Sequence, residues 1–379
     1  MKRSRGPMTR AAAFCIALAA ALQAVPAFAS PVRDCPLRDR PFSLQSPLMD
    51  VLLSPRASAI VRREAGDFSG HPFGGMLKPA APSMSAIVTL EGIAPALGIK
   101  PAQLARIGAA FKTLPVTAQD RIARCARYDG EPVAAPPANG RRHVLLFEKN
   151  VGFRDAPAIE AAHRAFVALA DARGWDVVTT EHAGAFTPAT LRGFDLVIWN
   201  NNSGDLLTLS QRAAFRAWIE RGGAYVGVHS ASGDPATFWP WYRDTLVGAT
   251  FVGHPMNPQF QDARIVMETR DPTLSADLPR EWTWQDEWYS FAASPRRTGA
   301  QVVATLDEKT YSPKGMTGES LAMGDHPIAW TRCIGRGRMF YSAIGHRPEG
   351  YADTRYRTML GNALDWAIAR NACSGAAAR

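Results

Sequence analysis

Four short apolar runs limit the folds open to this 379-residue chain, because segments of helical pattern lie between them. HVLLFE is apolar without alternation, which is typical of a strand buried on both faces of a sheet. The region from Ala156 to Arg173 has a helical pattern that stops at Gly174. Strands that alternate with helices predict a parallel sheet with helices on both faces. The four runs are HVLLFE (143–148), DVVTTE (176–181), DLVIWN (195–200) and AYVGVH (224–229).

More strands and two further helices complete this domain, which we place at residues 142–370, before a tail at 371–379. Thr208 and Gln211 have the spacing of a capping box, and Gly222 ends the helix that follows them. The last two of four later apolar runs are separated only by GRG, which predicts a hairpin. TRYRTMLGNALDWAIAR predicts a closing helix. The four later runs are ARIVMET, QVVATLD, IAWTRCI and RMFYSAI.

Residues 30–130 have a different pattern, in which apolar helical windows alternate with Pro and Gly. Leu104, Ile107 and Phe111, for example, are spaced by three and four residues. The segment 131–141 is rich in Pro and Ala and has no apolar period. We therefore predict a small helical module that a linker joins to the α/β domain.

The first 29 residues have the organisation of a secretory signal peptide. Four basic residues precede the apolar run AAAFCIALAAALQAV, and Ala27-Phe28-Ala29 has the small-x-small spacing of a signal-peptidase site. The alternative is an uncleaved membrane anchor, but this run is shorter than the roughly 20 residues that a spanning helix needs. We expect cleavage near Ala29, a periplasmic or secreted protein, and no stable membrane insertion after cleavage.

The net charge of +9 does not indicate a nucleic-acid partner once it is divided along the chain. The signal segment holds four cations and no anions, whereas residues 141–379 hold 26 Lys and Arg against 25 Asp and Glu. A domain that binds phosphate backbones concentrates positive charge on itself. The nearly neutral α/β domain therefore argues against nucleic-acid binding.

Four cysteines remain after cleavage, two in each half of the mature chain. In an oxidising compartment they suggest the pairs Cys35–Cys125 and Cys333–Cys373, although four cysteines allow three connectivities. None lies in a CxxC pair or beside a motif histidine. This spacing argues against a thiolate metal site and against a catalytic thiol.

Polar residues directly after the predicted strands are the first candidates for a site, because ligands gather at the carboxyl ends of parallel strands. Lys149 follows the first strand, Asn201 and Asp205 follow the third, and His229 and Ser230 follow the fourth. Asparagines also form turns, which is the alternative for Asn201. The SGD sequence beside it favours a polar cup for a hydroxyl-rich ligand.

Three more histidines, His254, His326 and His346, lie next to a Gly or Pro in loops of the same domain. A single loop histidine is more often structural, but with His229 and the acidic pair Asp286 and Glu287 they favour a site. Imidazole and carboxylate bind zinc or a similar divalent ion, and they also move protons near neutral pH. No HxH or HExxH signature is present, so both chemistries stay open.

Aromatic residues near these histidines could bind the apolar face of a sugar ring, or could equally form a wall of the core. Trp241 and Tyr289 are our candidates for the first role. The full aromatic set is Trp239, Trp241, Tyr242, Trp282, Trp284, Trp288 and Tyr289.

Six ordered motifs over residues 142–370 resemble the ThuA-like family, which is named after trehalose utilisation. The resemblance implies a flavodoxin-like fold similar to the class I glutamine amidotransferases. It also implies a link to disaccharides, their keto forms and sugar oxidoreductases. Residues 30–140 have no part in it. The motifs are GGAYVGVHSAS, FWPWYRDTLVGATFVGHP, DEWYSF, LDEKTY, DHPIAW and GRMFYSAIGH.

Two positions set this chain apart from its relatives. The amidotransferases carry a cysteine within GxCxG, whereas this chain has His229 at that position, so glutamine hydrolysis has no thiol nucleophile. The family's first loop commonly ends in GFRH, whereas Asp155 ends GFRD here. Asp155 can cap the next helix or bind a cation, but it cannot replace an imidazole in proton transfer near pH 7.

These observations predict an exported enzyme that acts on a glycoside or 3-keto-glycoside by acid–base chemistry, with a divalent ion such as zinc as an option. His229 or His254 would remove the C2 proton, and a cation, or Lys149 with Arg154, would stabilise the enolate. The catalytic candidates are His229, His254, Glu287 and His346. The substrate-binding candidates are Lys149, Arg154, Asn201, Asp205, Ser230, Trp241, Asp286, Tyr289 and His326. The metal-ligand candidates are His229, His254 and His346.

Two alternatives belong to other functional classes. The loss of the loop histidine at Asp155 motivates a sugar-binding module without turnover. A residual amidohydrolase would use Ser230 as its nucleophile, but the sequence shows no base at a spacing that would mark it as the partner of Ser230. The sequence leaves the oligomeric state open, a homo-oligomer included.

Overall fold

The computed structural model describes residues 32–68, 70–233, 238–369 and 373. The predicted signal peptide at 1–29 lies outside this range, and so does the predicted tail apart from Cys373. None of the helices in the described ranges combines the length and the apolarity that a bilayer crossing requires.

Strands occur only in the part of the chain after residue 142, as far as the structure describes it. Nine of them form one sheet, and β5 pairs with β8 in a separate ribbon. In chain order they are β1 (His143–Phe147), β2 (Asp176–Thr180), β3 (Leu196–Asn200), β4 (Ala224–Val228), β5 (Phe251–Gly253), β6 (Phe260–Met267), β7 (Glu281–Glu287), β8 (Ser290–Phe291), β9 (Gln301–Asp307), β10 (Pro327–Ile334) and β11 (Gly337–Ser342).

The α-helices fall into an N-terminal group and a group that packs against the sheet. In chain order they are α1 (Leu48–Leu53), α2 (Pro55–Ala65), α3 (Leu90–Ile93), α4 (Pro101–Lys112), α5 (Ala118–Cys125), α6 (Ala156–Asp171), α7 (Pro188–Leu191), α8 (Leu209–Glu220), α9 (Ser230–Gly233), α10 (Pro272–Ser275) and α11 (Thr354–Ile368).

The sheet has a parallel half and an antiparallel half, in the order β2-β1-β3-β4-β11-β10-β9-β6-β7. The first five strands are parallel and have the flavodoxin order, which confirms the predicted fold class. The predicted β10–β11 hairpin is also confirmed. The antiparallel pairs from β10 to β7 extend this sheet beyond the parallel strands and the hairpin that the sequence predicts.

Burial explains why the parallel strands form where the apolar runs predict them. Every residue of β1, β3 and β4 is buried. Trp199 of β3 stacks on Phe215 of α8, with ring centroids 5.7 Å apart. The capping box of α8 is present, since the Thr208 side chain accepts from the Gln211 N–H while the Gln211 side chain accepts from the Thr208 N–H.

The N-terminal helices have their own apolar core, which includes Ile107 and Phe111. They also contact the α/β region through polar groups: the Ser83 N–H donates to the Val151 carbonyl at 3.0 Å, and the Tyr128 hydroxyl donates to Asp205 at 2.8 Å. These contacts attach the helices to the loops after β1 and β3.

Two disulfides link distant segments of the chain. Cys35 is bonded to Cys125, and Cys333 is bonded to Cys373. Both predicted pairs are therefore confirmed.

Candidate functional site

The loops that follow β1, β4 and β11 meet the end of β7 at the carboxyl edge of the parallel strands. Asp155 lies after β1, His229 directly follows β4, His346 follows β11, and Glu287 is the last residue of β7. Three of these belong to the parallel half, whereas Glu287 comes from the antiparallel half. The mixed sheet is therefore needed to assemble this group.

His229 is held in a strained backbone conformation at the turn after β4. Its φ is +48°, which lies in the left-handed region that residues other than glycine rarely adopt. Its N–H donates to the Ser342 carbonyl at 2.7 Å, and the Tyr341 hydroxyl donates to the His229 carbonyl. Its Nδ1 lies 2.9 Å from the Ala343 carbonyl, which can only accept, so Nδ1 carries a proton and neutral His229 presents a lone pair on Nε2.

Three electron-pair donors converge on one point. His229 Nε2 lies 3.1 Å from His346 Nδ1 and 3.3 Å from Glu287 Oε2, and His346 Nδ1 lies 3.2 Å from that same oxygen. His346 Nε2 faces Asp155 Oδ2 at 3.3 Å, which favours a proton on Nε2 and a lone pair on Nδ1. Three acceptors this close together require a positive charge between them, from a proton or from a metal ion.

The spacing fits a tetrahedral divalent cation. Ligand atoms bonded at about 2.0–2.1 Å to zinc lie about 3.3 Å from one another, close to the three separations found here. Metal-bound histidines usually donate their second ring N–H to a carbonyl or carboxylate. Ala343 and Asp155 supply those two acceptors to His229 and His346. His229, His346 and Glu287 would occupy three of the four positions around the ion, and the fourth would be open to water or substrate.

Electrostatics at this point also favour a bound positive charge. Burial raises the pKa of Glu287, but hydrogen bonds with His229 and His346 outweigh it and hold that pKa well below its ordinary range. Burial lowers the pKa of His346, yet the hydrogen bond to Glu287 and the charge of Asp155 raise it overall. Glu287 is therefore an anion, and its neighbours favour a proton or a cation beside it.

Asp286 holds the site's backbone together. It is fully buried, and its carboxylate accepts from the N–H groups of Glu287 at 2.8 Å, Gly345 at 2.9 Å, and His346 and Arg347 at 3.2 Å. Burial raises its pKa and outweighs these hydrogen bonds, which act in the opposite direction. The sequence suggested a substrate-binding role, but in the structure Asp286 ties the end of β7 to the loop after β11.

His254 contacts the other carboxylate oxygen of Glu287, Oε1, and does not belong to the group that meets at Oε2. Its Nδ1 is 3.2 Å from Glu287 Oε1 and 3.0 Å from the Pro255 carbonyl. Both partners accept, so the proton sits on Nδ1 and Nε2 carries the lone pair. The side chain is 24% exposed, which gives this nitrogen access to a ligand.

Aromatic rings surround the imidazoles. Tyr289 lies 4.2 Å from the His229 ring, and Phe251 packs on Tyr289 at 4.4 Å. Phe260 lies 5.1 Å from His346, and the partly exposed Phe153 stacks on the same ring at 6.4 Å. Of these four, only Tyr289 is a candidate from the sequence; Phe153 and Phe251 lie within the quoted motifs, whereas Phe260 has no sequence signal.

His326 supports Tyr289. It is buried, its Nε2 donates to the Tyr289 carbonyl at 2.9 Å, and its Nδ1 lies 2.8 Å from Glu308. That hydrogen bond lowers the pKa of Glu308 to about 2. Both ring nitrogens are therefore engaged within the protein.

Most of the other predicted substrate-binding residues have partners of their own. Asn201 donates to the Tyr351 hydroxyl, which in turn donates to the carbonyl of Gly345, the residue before His346. Asn201 is therefore linked to the site through Tyr351. Ser230 follows His229 at the start of α9. The remaining pairs are Lys149 with Asp129, Arg154 with Glu181, Asp205 with Arg212, and Trp241 with Trp239.

Gly152 brings the N-terminal helices close to the loop that carries Asp155. A Cβ at this position would lie 2.4 Å from Ile87 and 2.3 Å from the Ser203 hydroxyl. The Gly152 N–H also donates to the Ser203 carbonyl at 2.9 Å. The helical module therefore packs directly on the loop between β1 and α6.

Comparisons with known proteins agree with this architecture. The sequence model of the ThuA family, described as trehalose utilisation, matches residues 143–367. A ThuA-like protein from Bacteroides uniformis is 25% identical, with a TM-score of 0.52 over 64% of this chain and 98% of its own. Another from Parabacteroides merdae is 16% identical, with a TM-score of 0.48 over 62% of this chain and 92% of its own. No curated protein matches the sequence.

Proposed function

Because this chain belongs to the ThuA family of trehalose utilisation, which relates it to carbohydrates, we propose that it is an exported enzyme acting on a glycoside or 3-keto-glycoside. The observation that carries the proposal is the convergence of His229 Nε2, His346 Nδ1 and Glu287 Oε2. These residues would hold a divalent cation such as zinc. When bound, the ion would polarise the ketone of the substrate as a Lewis acid.

His254 is the proposed base. The ketone at C3 makes the C2–H bond acidic, and His254, whose Nε2 is unprotonated, has a partly exposed side chain beside Glu287. His254 takes the C2 proton, and the electron pair of the C–H bond becomes the enolate. Glu287 Oε1 accepts from the Nδ1–H and stabilises the imidazolium that forms.

Glycosidic cleavage then follows by elimination. The enolate electrons form the C1–C2 double bond while the C1–O bond breaks and its electrons go to the leaving oxygen. The His254 imidazolium returns its proton to that oxygen, so the products are an alcohol and an unsaturated 3-keto sugar. The exposed ring of Phe153 supports binding of the apolar face of a sugar, whereas the ring of Tyr289 is buried against His229.

Exchange of the C2 proton tests this proposal. The mature protein is stripped with a chelator, reloaded with zinc, manganese or cobalt, and incubated with a 3-keto-glycoside in D₂O. We expect loss of the C2 proton signal by NMR with at least one reloaded sample, and a loss slower by about a hundredfold or more in His254→Ala, as for removal of a general base.

His182→Ala is the control, because His182 is half exposed and pairs with Glu131 outside the site. It should exchange the proton at the rate of the unchanged protein. Calorimetry that detects sugar binding without any exchange would overturn the enzyme proposal in favour of a binding module. Absence of both exchange and consumption with every metal would also overturn it.

A further inference from the structure

A cavity with a volume of about 510 Å³ lies at the amino ends of the parallel strands, opposite the candidate site. Its lining includes residues directly before or at the start of β1, β3, β4 and β11, whereas the candidate site lies at the carboxyl ends. This volume is in the range of small-molecule sites. Five arginines line it: Arg142, Arg192, Arg221, Arg336 and Arg338.

The positive charge of this cavity is largely uncompensated. Asp195, the acidic residue of the lining, is paired with Arg142 at 2.9 Å. Within the described part of the chain, Arg192, Arg221 and Arg336 form no ion pair. Arg336 donates to the Arg221 carbonyl at 3.0 Å, which satisfies one N–H but neutralises no charge. An anion in the cavity would meet at least three free positive charges.

The backbone that carries these arginines is fixed. The Arg336 N–H donates to the Glu220 carbonyl at 3.0 Å, and the Arg338 N–H donates to the Gly223 carbonyl at 3.2 Å. A Cβ on Gly337 would lie 2.1 Å from the Ile219 carbonyl oxygen, so the hairpin turn packs directly against the end of α8. Little backbone entropy would be lost when a ligand binds here.

The wall of the cavity combines this charge with apolar surface. The buried side chains of Phe194 and Trp218 line it, and Arg338 stacks on Trp366 while donating to its carbonyl. The side chains of Arg192, Arg221 and Arg336 are exposed, so a ligand can reach them from solution. Guanidinium groups bind phosphate oxygens in pairs. We propose that this cavity is a binding site for a phosphate-bearing anion, independent of the proposed reaction.

Calorimetry with inorganic pyrophosphate tests the site on the whole mature protein. The double variant Arg192→Gln/Arg221→Gln removes two charges and leaves a shorter, neutral polar side chain at each position. We expect pyrophosphate to bind about tenfold or more weakly to this variant, because each charge-assisted hydrogen bond contributes more than a neutral one. Arg56→Gln/Arg62→Gln on α2 removes the same charge from an exposed surface and should bind like the unchanged protein.

Two further experiments distinguish the possible outcomes. Binding that persists in His229→Ala supports the cavity, since pyrophosphate on a metal at the candidate site would be lost in that variant. Flotation with phosphatidylcholine vesicles, with and without phosphatidylglycerol, distinguishes a lipid headgroup from a soluble phosphate. Equal weakening in both arginine variants, loss in His229→Ala, or no binding of pyrophosphate and of anionic vesicles would overturn the proposal.

Discussion

Replacing Glu287 by glutamine is expected to abolish metal binding at the site and to slow C2 proton exchange by about a thousandfold or more, since charge stabilisation by a metal provides several kcal/mol. Glutamine has the same shape, and its amide can donate to a lone pair of His229 or His346. The fold should therefore be retained. Only the negative charge and one metal ligand are lost.

The measurement combines metal content with the exchange rate in the same preparation. Glu160→Gln, an exposed glutamate on α6, is the matched control and should leave both quantities unchanged. A Glu287→Gln variant that keeps one ion per chain and exchanges the C2 proton at the original rate would contradict the assignment of Glu287.

Asp286→Ala is expected to have the largest effect on stability, about 3 kcal/mol or more, because it leaves four N–H groups, two buried and two partly buried, without their acceptor. The loop after β11 would lose its attachment to β7, and His346 would move away from Glu287. Urea unfolding of the mature protein, followed by tryptophan fluorescence, measures the change.

Asp286→Asn is the matched variant for this prediction. Three of the four N–H groups donate to Oδ1, and only the Gly345 N–H donates to Oδ2. An asparagine oxygen in the Oδ1 position keeps those three bonds, so the loss should be clearly smaller. Equal stability of the alanine and asparagine variants would show that the carboxylate does not hold the two segments together.

The centre of the parallel half could be predicted because β1, β3 and β4 are buried on both faces and have continuous apolar sequences. β7 could not be predicted in the same way. Its sequence EWTWQDE alternates in burial only in its first half and ends in three polar residues, of which Asp286 and Glu287 are buried, so it looks like an aromatic, acidic stretch rather than a strand. Its position beside β6 depends on pairing across the sheet, which local sequence does not encode.

The grouping of His229, Glu287 and His346 could be anticipated from loop histidines and adjacent acids, but their mutual geometry could not. His254 and His326 also have a Gly or Pro neighbour, as His346 does. In the structure, however, His254 contacts Glu287 through Oε1, and His326 is buried against Glu308 and Tyr289. Their distinct positions follow from tertiary packing.

The structure gives Asp155 contacts that the sequence alone does not show. In the sequence, Asp155 stands where the family commonly has a histidine. In the structure it caps α6 through the Ala158 N–H and also faces His346 Nε2. It therefore orients one of the proposed metal ligands, which is a role that a carboxylate fulfils well.

Metal analysis of the purified mature protein by mass spectrometry tests the central claim most directly. We predict one divalent ion per chain in the unchanged protein and in His254→Ala, and none in His229→Ala or His346→Ala. The unchanged protein without a bound ion after exposure to zinc, manganese and cobalt would contradict the account. An ion that remains stoichiometric in His229→Ala and His346→Ala would contradict it equally.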